Sequence, residues 1–125
     1  MKKSAAKKPL TKTKNRDTTF HDYVVHDVLA SIPGISSRAM FSGWGIYQFG
    51  VVFAIIIEGE LYFKVDATNK PDFEQVGSRP FTYAREGKGP VTMSYWLMPE
   101  ELLDDRDLIA SWVKKAVAVS KNSKK

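Results

Sequence analysis

The chain has 125 residues, of which 43% are hydrophobic and 26% are charged, and this composition is typical of one soluble globular domain. It has no cysteine, which excludes disulfides and cysteine-based metal sites. No apolar run approaches the ~20 residues that a membrane helix needs, and the N-terminus has no apolar signal segment, so we expect a cytoplasmic protein that does not bind membranes.

The net charge of +5 is distributed unevenly along the chain. The fold itself, predicted to span residues 17–120, carries nine basic against fourteen acidic residues, and residues 121–125 form a short basic tail. Because phosphate attraction dominates nucleic-acid binding, an acidic fold argues against a nucleic-acid groove. The first sixteen residues hold no acid and seven basic side chains, which are Lys2, Lys3, Lys7, Lys8, Lys12, Lys14 and Arg16.

Residues 1–16 are predicted to be a disordered basic arm, because Leu10 is their only large apolar side chain. Two interpretations of this arm stay open. It is either a solubilising tail or a functional arm that attracts nucleic acid weakly and without sequence preference.

The first predicted element is a helix over residues 18–31. Phe20, Val24 and Val28 recur near helical spacing, Thr18 or Thr19 can serve as N-cap, and Pro33-Gly34 ends the pattern.

Residues 38–66 predict an antiparallel meander of three strands, at 38–48, 51–57 and 61–65, because apolar runs alternate with glycine-containing turns. The strand at 51–57 is apolar on both faces. We therefore expect the middle of the sheet to be covered on both sides, the second cover being either a helix or another subunit.

The remaining elements are a helix over 68–76, a hairpin of strands at 80–85 and 91–96, and a helical region from Pro99 with a second start at Asp105 or Asp107. The order α-β(3)-α-β(2)-α predicts a two-layer α+β fold with an antiparallel sheet of about five strands.

Catalytic and metal chemistry has no support in the sequence. His21 and His26 would lie about 140° apart around a helix, so they cannot share one metal ion. Asp22 and His26 are predicted to form a surface pair at i, i+4 spacing. Neither histidine is expected beside a strand serine, so we predict no nucleophile–base pair, no cofactor and no enzymatic activity.

Two further patterns invite a ligand-binding interpretation. Ser42-Gly43-Trp44-Gly45 lacks the third glycine of a dinucleotide fingerprint, and a bulge or twist within a strand is the better prediction. Four charged residues could converge on the polar face or rim of the sheet and bind a small ligand, although solvated charges or cross-strand ion pairs are commoner. They are Arg38, Lys64, Asp66 and Arg85.

Aromatic residues make up 12% of the chain, which invites a model in which RNA bases stack on the sheet. The element order differs from that of the common four-stranded RNA-binding module, and the acidic fold opposes it. We expect most of these aromatic residues to be core.

Several segments together resemble the N-terminal domain of the TfoX/Sxy family of competence regulators. They are RAMFSGWGIY at 38–47, VFA at 52–54, GELYFKVD at 59–66, PFTY at 80–83, Ser94-Tyr95 and Pro99-Glu100-Glu101. The family usually has Gly-Gly-Tyr-Gly where this chain has Ser42-Gly43-Trp44-Gly45, which keeps two of the glycines.

This resemblance implies a two-layer α+β fold, a bacterial cytoplasmic protein and a role linked to regulation of DNA-uptake competence genes. It offers no catalytic residues. Full-length regulators carry a second, helical C-terminal domain, so the chain resembles the stand-alone form.

The leading hypothesis is a non-enzymatic regulatory or protein-interaction module that forms a homodimer through the apolar strand at 51–57 and binds a regulatory protein partner. The alternative is a nucleic-acid-associated protein that binds weakly through its basic arm. A small-ligand binder that uses the four charged residues is the third hypothesis.

Overall fold

The computed structural model describes residues 18–40, 43–85 and 88–123. The arm at 1–16 lies outside these residues. The helical elements are α1 (Thr19–Tyr23), a π-helical turn (Val24–Val28), α2 (Lys70–Gln75), a 3-10 turn (Glu100–Leu102) and α3 (Arg106–Ser123). The strands are β1 (Ile35–Met40), β2 (Gly43–Gln48), β3 (Val51–Ile57), β4 (Glu60–Lys64), β5 (Pro80–Arg85) and β6 (Lys88–Leu97).

The six strands form one antiparallel sheet in the order β1-β2-β3-β4-β6-β5, which confirms the predicted α+β class. The sheet has one strand more than predicted, because the segment 38–48 contributes to two strands. β1 pairs with β2 from Ile35↔Gln48 to Met40↔Gly43. The start of β1 was missed because Ser36 and Ser37 carry no apolar or β-branched signal.

The first helix is present where it was predicted, but its second half is not an α-helix. After α1 the chain widens into the π-helical turn, in which the Leu29 N–H donates to the Val24 carbonyl at 2.9 Å. This turn leaves Val24, Val28 and Leu29 all buried against the sheet. The prediction of a regular α-helix over residues 18–31 was therefore wrong for its second half. Val24 and Val28 were nevertheless predicted correctly to face the core.

All the described helices pack on one face of the sheet. α3 lies across β3 and β4 and buries Ile109, Trp112 and Val113 there. The ring centroids of Phe73 in α2 and Trp112 are 4.5 Å apart, and those of Phe73 and Phe63 in β4 are 6.3 Å apart. These aromatic contacts join both helices and the sheet in one core.

The other predicted elements lie within two residues of their predicted bounds except β6 and the end of α3. β6 begins at Lys88, three residues before its predicted start and within the segment predicted as a loop. β5 has the predicted bounds, and α3 begins between its two predicted start residues. α3 also continues to Ser123, three residues into the segment predicted as a basic tail. None of the described helices is long and apolar enough to cross a bilayer.

Strand alternation separates the core side chains from a second face, which we call the open face because no described helix packs on it. One row of this face crosses five strands in register, through Arg38, Gly45, Ile55, Tyr62 and Leu97. The open face includes Arg38, Met40, Gly45, Tyr47, Val52, Ile55, Glu60, Tyr62, Lys64, Phe81, Tyr95 and Leu97.

Candidate functional site

The open face covers its apolar centre with its own long side chains. Ile55 and Tyr62 are each only 5% exposed, although the described helices lie on the opposite side. The ring of Tyr62 contacts that of Phe81 at 5.0 Å between centroids, and its hydroxyl donates to Glu60 Oε1 at 2.7 Å. Among the described residues no helix provides the predicted second cover, and both buried residues are shielded within the chain itself.

The surroundings of Tyr62 favour the protonated form of its phenol. Burial of the phenol and its hydrogen bond to the Glu60 carboxylate raise the pKa of Tyr62 to about 12. The side chain remains neutral over the physiological pH range, so it contributes shape and a hydrogen bond rather than charge to the open face.

Two cations lie over two tyrosine rings on this face. Arg38 Cζ is 5.5 Å from the centroid of the Tyr47 ring, and Lys64 Nζ is 5.1 Å from the centroid of the Tyr95 ring. Both distances fall within the range of cation–π attraction. Burial, and to a smaller extent the phenol of Tyr47, raises the pKa of Tyr95.

Gly45 makes room for these side chains. A Cβ atom at this position would lie 2.8 Å from Met40 Sδ and 3.2 Å from the Tyr47 ring. The predicted bulge is not at the glycines, since Gly43 and Gly45 pair regularly in β2. The register shift falls after Ile46 instead, where β3 accommodates an additional residue, Phe53.

The open face carries one acidic side chain from the described strands, Glu60, which lies on the same side of β4 as Tyr62 and Lys64. Glu60 is already bound by the Tyr62 hydroxyl and by Arg79 at 3.7 Å. Nine acids lie in the helical layer or its connections, namely Asp22, Asp27, Asp72, Glu74, Glu100, Glu101, Asp104, Asp105 and Asp107. Most of the described acids therefore lie in the helical layer, whereas Glu58 in the β3–β4 turn and Glu60 in β4 lie near Tyr62.

The structure describes the side chains of three of the four charged residues predicted as a possible ligand site. Arg38 and Lys64 share the open face. The Asp66 carboxylate accepts hydrogen bonds from the Thr68 N–H at 2.8 Å and the Thr68 hydroxyl at 2.6 Å, which lower the pKa of Asp66. Asp66 thus stabilises the turn after β4, and the side chain of Arg85 lies outside the described part of the structure.

Asn69 fixes the end of the strand that carries Lys64. It is 2% exposed; its Oδ1 accepts from the Asp66 N–H at 2.9 Å, and its Nδ2 donates to the Lys64 carbonyl at 3.1 Å. The sequence reasoning missed this residue, because a single asparagine in a polar segment gives no sign of burial.

His21 has partners that the sequence reasoning did not predict. Its Nε2 lies 2.8 Å from Ser37 Oγ, its Nδ1 lies 2.9 Å from Asp22 Oδ1, and its ring is 4.0 Å from that of Trp44. The prediction that neither histidine would lie beside a strand serine is wrong, and so is the predicted Asp22–His26 pair. Ser37 is distant in sequence, so only the packing of α1 on β1 could reveal this contact.

These distances would suit a serine nucleophile and its base, but such a site also needs a substrate pocket and oxyanion donors beside the serine. An open cavity of about 370 Å³ lies nearby between the π-helical turn and β1. Its lining includes His26, Leu29 and Ile35 but neither Ser37 nor His21. The His21 contacts tie α1 to the edge strand, and no described group of three or more histidine, aspartate or glutamate residues could hold a metal ion.

The family comparison agrees with this architecture. The family described as TfoX N-terminal domain matches residues 27–120, which include all six strands and the whole open face. A comparison with curated proteins found no match. The resemblance identified from the sequence is confirmed, and the chain belongs to the TfoX N-terminal domain family.

Proposed function

We propose that this chain is a non-enzymatic regulatory module that acts by binding a partner on the open face of its sheet. The observation that carries the proposal is the presence of two cation–aromatic pairs, Arg38–Tyr47 and Lys64–Tyr95, on the face that the described helices leave free. Membership of the TfoX N-terminal domain family supports such a module. The link to competence-gene regulation in the bacterial cytoplasm, which the resemblance implies, is part of the proposal.

The chemistry of the open face favours an anionic partner. Neither Arg38 nor Lys64 takes part in the ion pairs found among the described residues. Nine of the twelve described acids lie in the helical layer or its connections, and no described carboxylate is within salt-bridge distance of either cation. Complementary charge steers and orients a partner, and here the complement is negative.

A homodimer through this face, predicted from the apolar strand, fits the surface less well. Among the described residues the strongly exposed large hydrophobic side chains are Phe49 and Val76, and neither belongs to the open face. A second copy would bring the same cations into the interface. The homodimer therefore stays a prediction, and light scattering of the full chain in the binding buffer tests it.

The binding surface can be tested by an NMR titration of the ¹⁵N-labelled full chain with inorganic polyphosphate, which carries negative charge but no bases. We expect saturable shifts of backbone amides in β1, β2, β4 and β6. A double variant, Arg38→Met with Lys64→Met, should weaken the shifts in these strands at least fivefold.

The matched control is Lys114→Met with Lys121→Met, which removes the same charge from exposed positions of α3. This control should leave the strand shifts unchanged. Because the readout is resolved by residue, binding to the basic arm is observed separately. Shifts confined to the arm and α3 would overturn the proposal.

A further inference from the structure

We infer that the anionic partner is a single-stranded nucleic acid, whose bases stack on Tyr47 and Tyr95 while its phosphates lie beside Arg38 and Lys64. This inference rests on the proposed function, since it names the partner of the same face. It assigns a role to the tyrosine rings as well as to the cations.

Tyr47 and Tyr95 provide two separate rings on which bases can stack. Each is half-buried and belongs to a different strand, Tyr47 to β2 and Tyr95 to β6. β3 and β4 lie between them, so their backbones are roughly 14 Å apart at the usual spacing of strands. A short single strand can span this distance and place one base on each ring.

The cations that now lie over the rings can be exchanged for bases. Arg38 is exposed and Lys64 is half-buried, and cation–π contacts at such accessible sites are weak. A base that stacks on the ring displaces the cation, which then neutralises a phosphate. Stacking on aromatic side chains combined with backbone neutralisation is how proteins bind single strands without sequence preference.

Other anionic partners would contact fewer of these four side chains. The tyrosine rings lie on a sheet surface, and no described element beside them could insert into the groove of a duplex. The stacked and paired bases of a duplex therefore cannot reach the rings. An acidic peptide would neutralise Arg38 and Lys64 but would leave both rings without a planar partner. A single strand offers unpaired bases that stack on both rings and phosphates that neutralise both cations.

The basic arm strengthens the same interaction without specifying it. Seven basic side chains in the first sixteen residues add sequence-independent attraction for phosphates. Binding by the arm depends on charge alone, whereas binding by the open face depends on bases too. This difference allows the two contributions to be separated experimentally.

The test measures the affinity of the full chain for fluorescently labelled dT12 and for a labelled twelve-unit abasic oligomer with the same phosphate charge, by anisotropy at several salt concentrations. We expect dT12 to bind at least tenfold more tightly than the abasic oligomer. Tyr47→Leu with Tyr95→Leu should abolish this difference, whereas Tyr47→Phe with Tyr95→Phe should preserve it.

Phe49→Leu is the control for loss of an aromatic side chain outside the open face. Phe49 is 73% exposed in the turn between β2 and β3, and its substitution should leave the tenfold difference unchanged. Circular dichroism checks that each variant is folded. If the leucine variant unfolds, the comparison of dT12 with the abasic oligomer on the unaltered chain still decides the question.

Equal binding of dT12 and the abasic oligomer would overturn the inference and leave the proposed function standing, because an anion would still bind the face. Tighter binding of a twelve-base-pair duplex than of dT12 would also overturn it. If NMR shifts with every oligomer and with polyphosphate remain confined to the arm, both the inference and the proposed function fail.

Discussion

The two faces of the sheet bury apolar residues in different ways. On the helical side, Phe63 is fully buried beneath α2 and α3 through ring contacts with Phe73 and its neighbours. On the open side, Ile55 and Tyr62 are almost as well buried, but the side chains that cover them come from the sheet itself. A strand that is apolar on both faces therefore does not require a second layer, because long amphipathic side chains can cover apolar surface while their polar ends remain in water.

The comparison predicts that the helical side dominates stability. Phe63→Ala should lower the free energy of unfolding by about 3–5 kcal/mol, because it leaves a cavity beneath the helices. Tyr95→Ala on the open face should cost less than about 1.5 kcal/mol, since its ring is partly solvated and the space it leaves is open to water. Urea unfolding followed by circular dichroism measures both, and equal losses would contradict the assignment of the core to one face.

The pKa of Tyr62 provides a test of burial on the open side. Its folded-state pKa is raised to about 12, whereas a tyrosine in the unfolded chain titrates near 10. The fold favours the protonated phenol, so this contribution to stability is complete below pH 10 and is lost as the pH rises from 10 to 12.

The free energy of unfolding should therefore decrease more between pH 9 and pH 11 for the unaltered chain than for the Tyr62→Phe variant. The variant acts as the control, because both proteins keep the other tyrosines. The same decrease in both proteins would show that Tyr62 is not shielded as described.

The smallest expected effect concerns the two cations. Arg38→Met and Lys64→Met should each change the free energy of unfolding by less than about 1 kcal/mol, which is the size of an exposed cation–π contact. Thermal unfolding at low and moderate salt measures the change. A larger loss would mean that these residues maintain the fold, and their role in binding would then need separate support.

Much of the architecture could be predicted, because its signals are local. Pro80 marks the start of β5, and glycine-containing turns separate apolar segments of the meander. The predicted class and family followed from these signals. The split of 38–48 into two strands could not be predicted from these signals. Ser36 and Ser37 form a regular strand through their pairing with β2 rather than through their own strand propensity.

The candidate site was predictable only in part. Arg38 and Lys64 were identified as candidates, but Asp66 lies just beyond β4 and its carboxylate serves a turn. The contacts of His21 with Ser37 and Trp44 join residues that are distant along the chain. The concentration of most described acids in the helical layer was not visible either, because net charge averages over both sides of the fold.

The strand order has a consequence for how the chain folds. Every neighbouring pair of strands is a sequential hairpin except β4–β6, where Tyr62 pairs with Leu97 across α2 and β5. The hairpins require closure of short loops only, whereas the β4–β6 pairing must close a long one. We therefore expect the β1–β4 meander and the β5–β6 hairpin to form early, and their joining under α3 to limit the folding rate. The row of residues that completes the open face is assembled only at that last step.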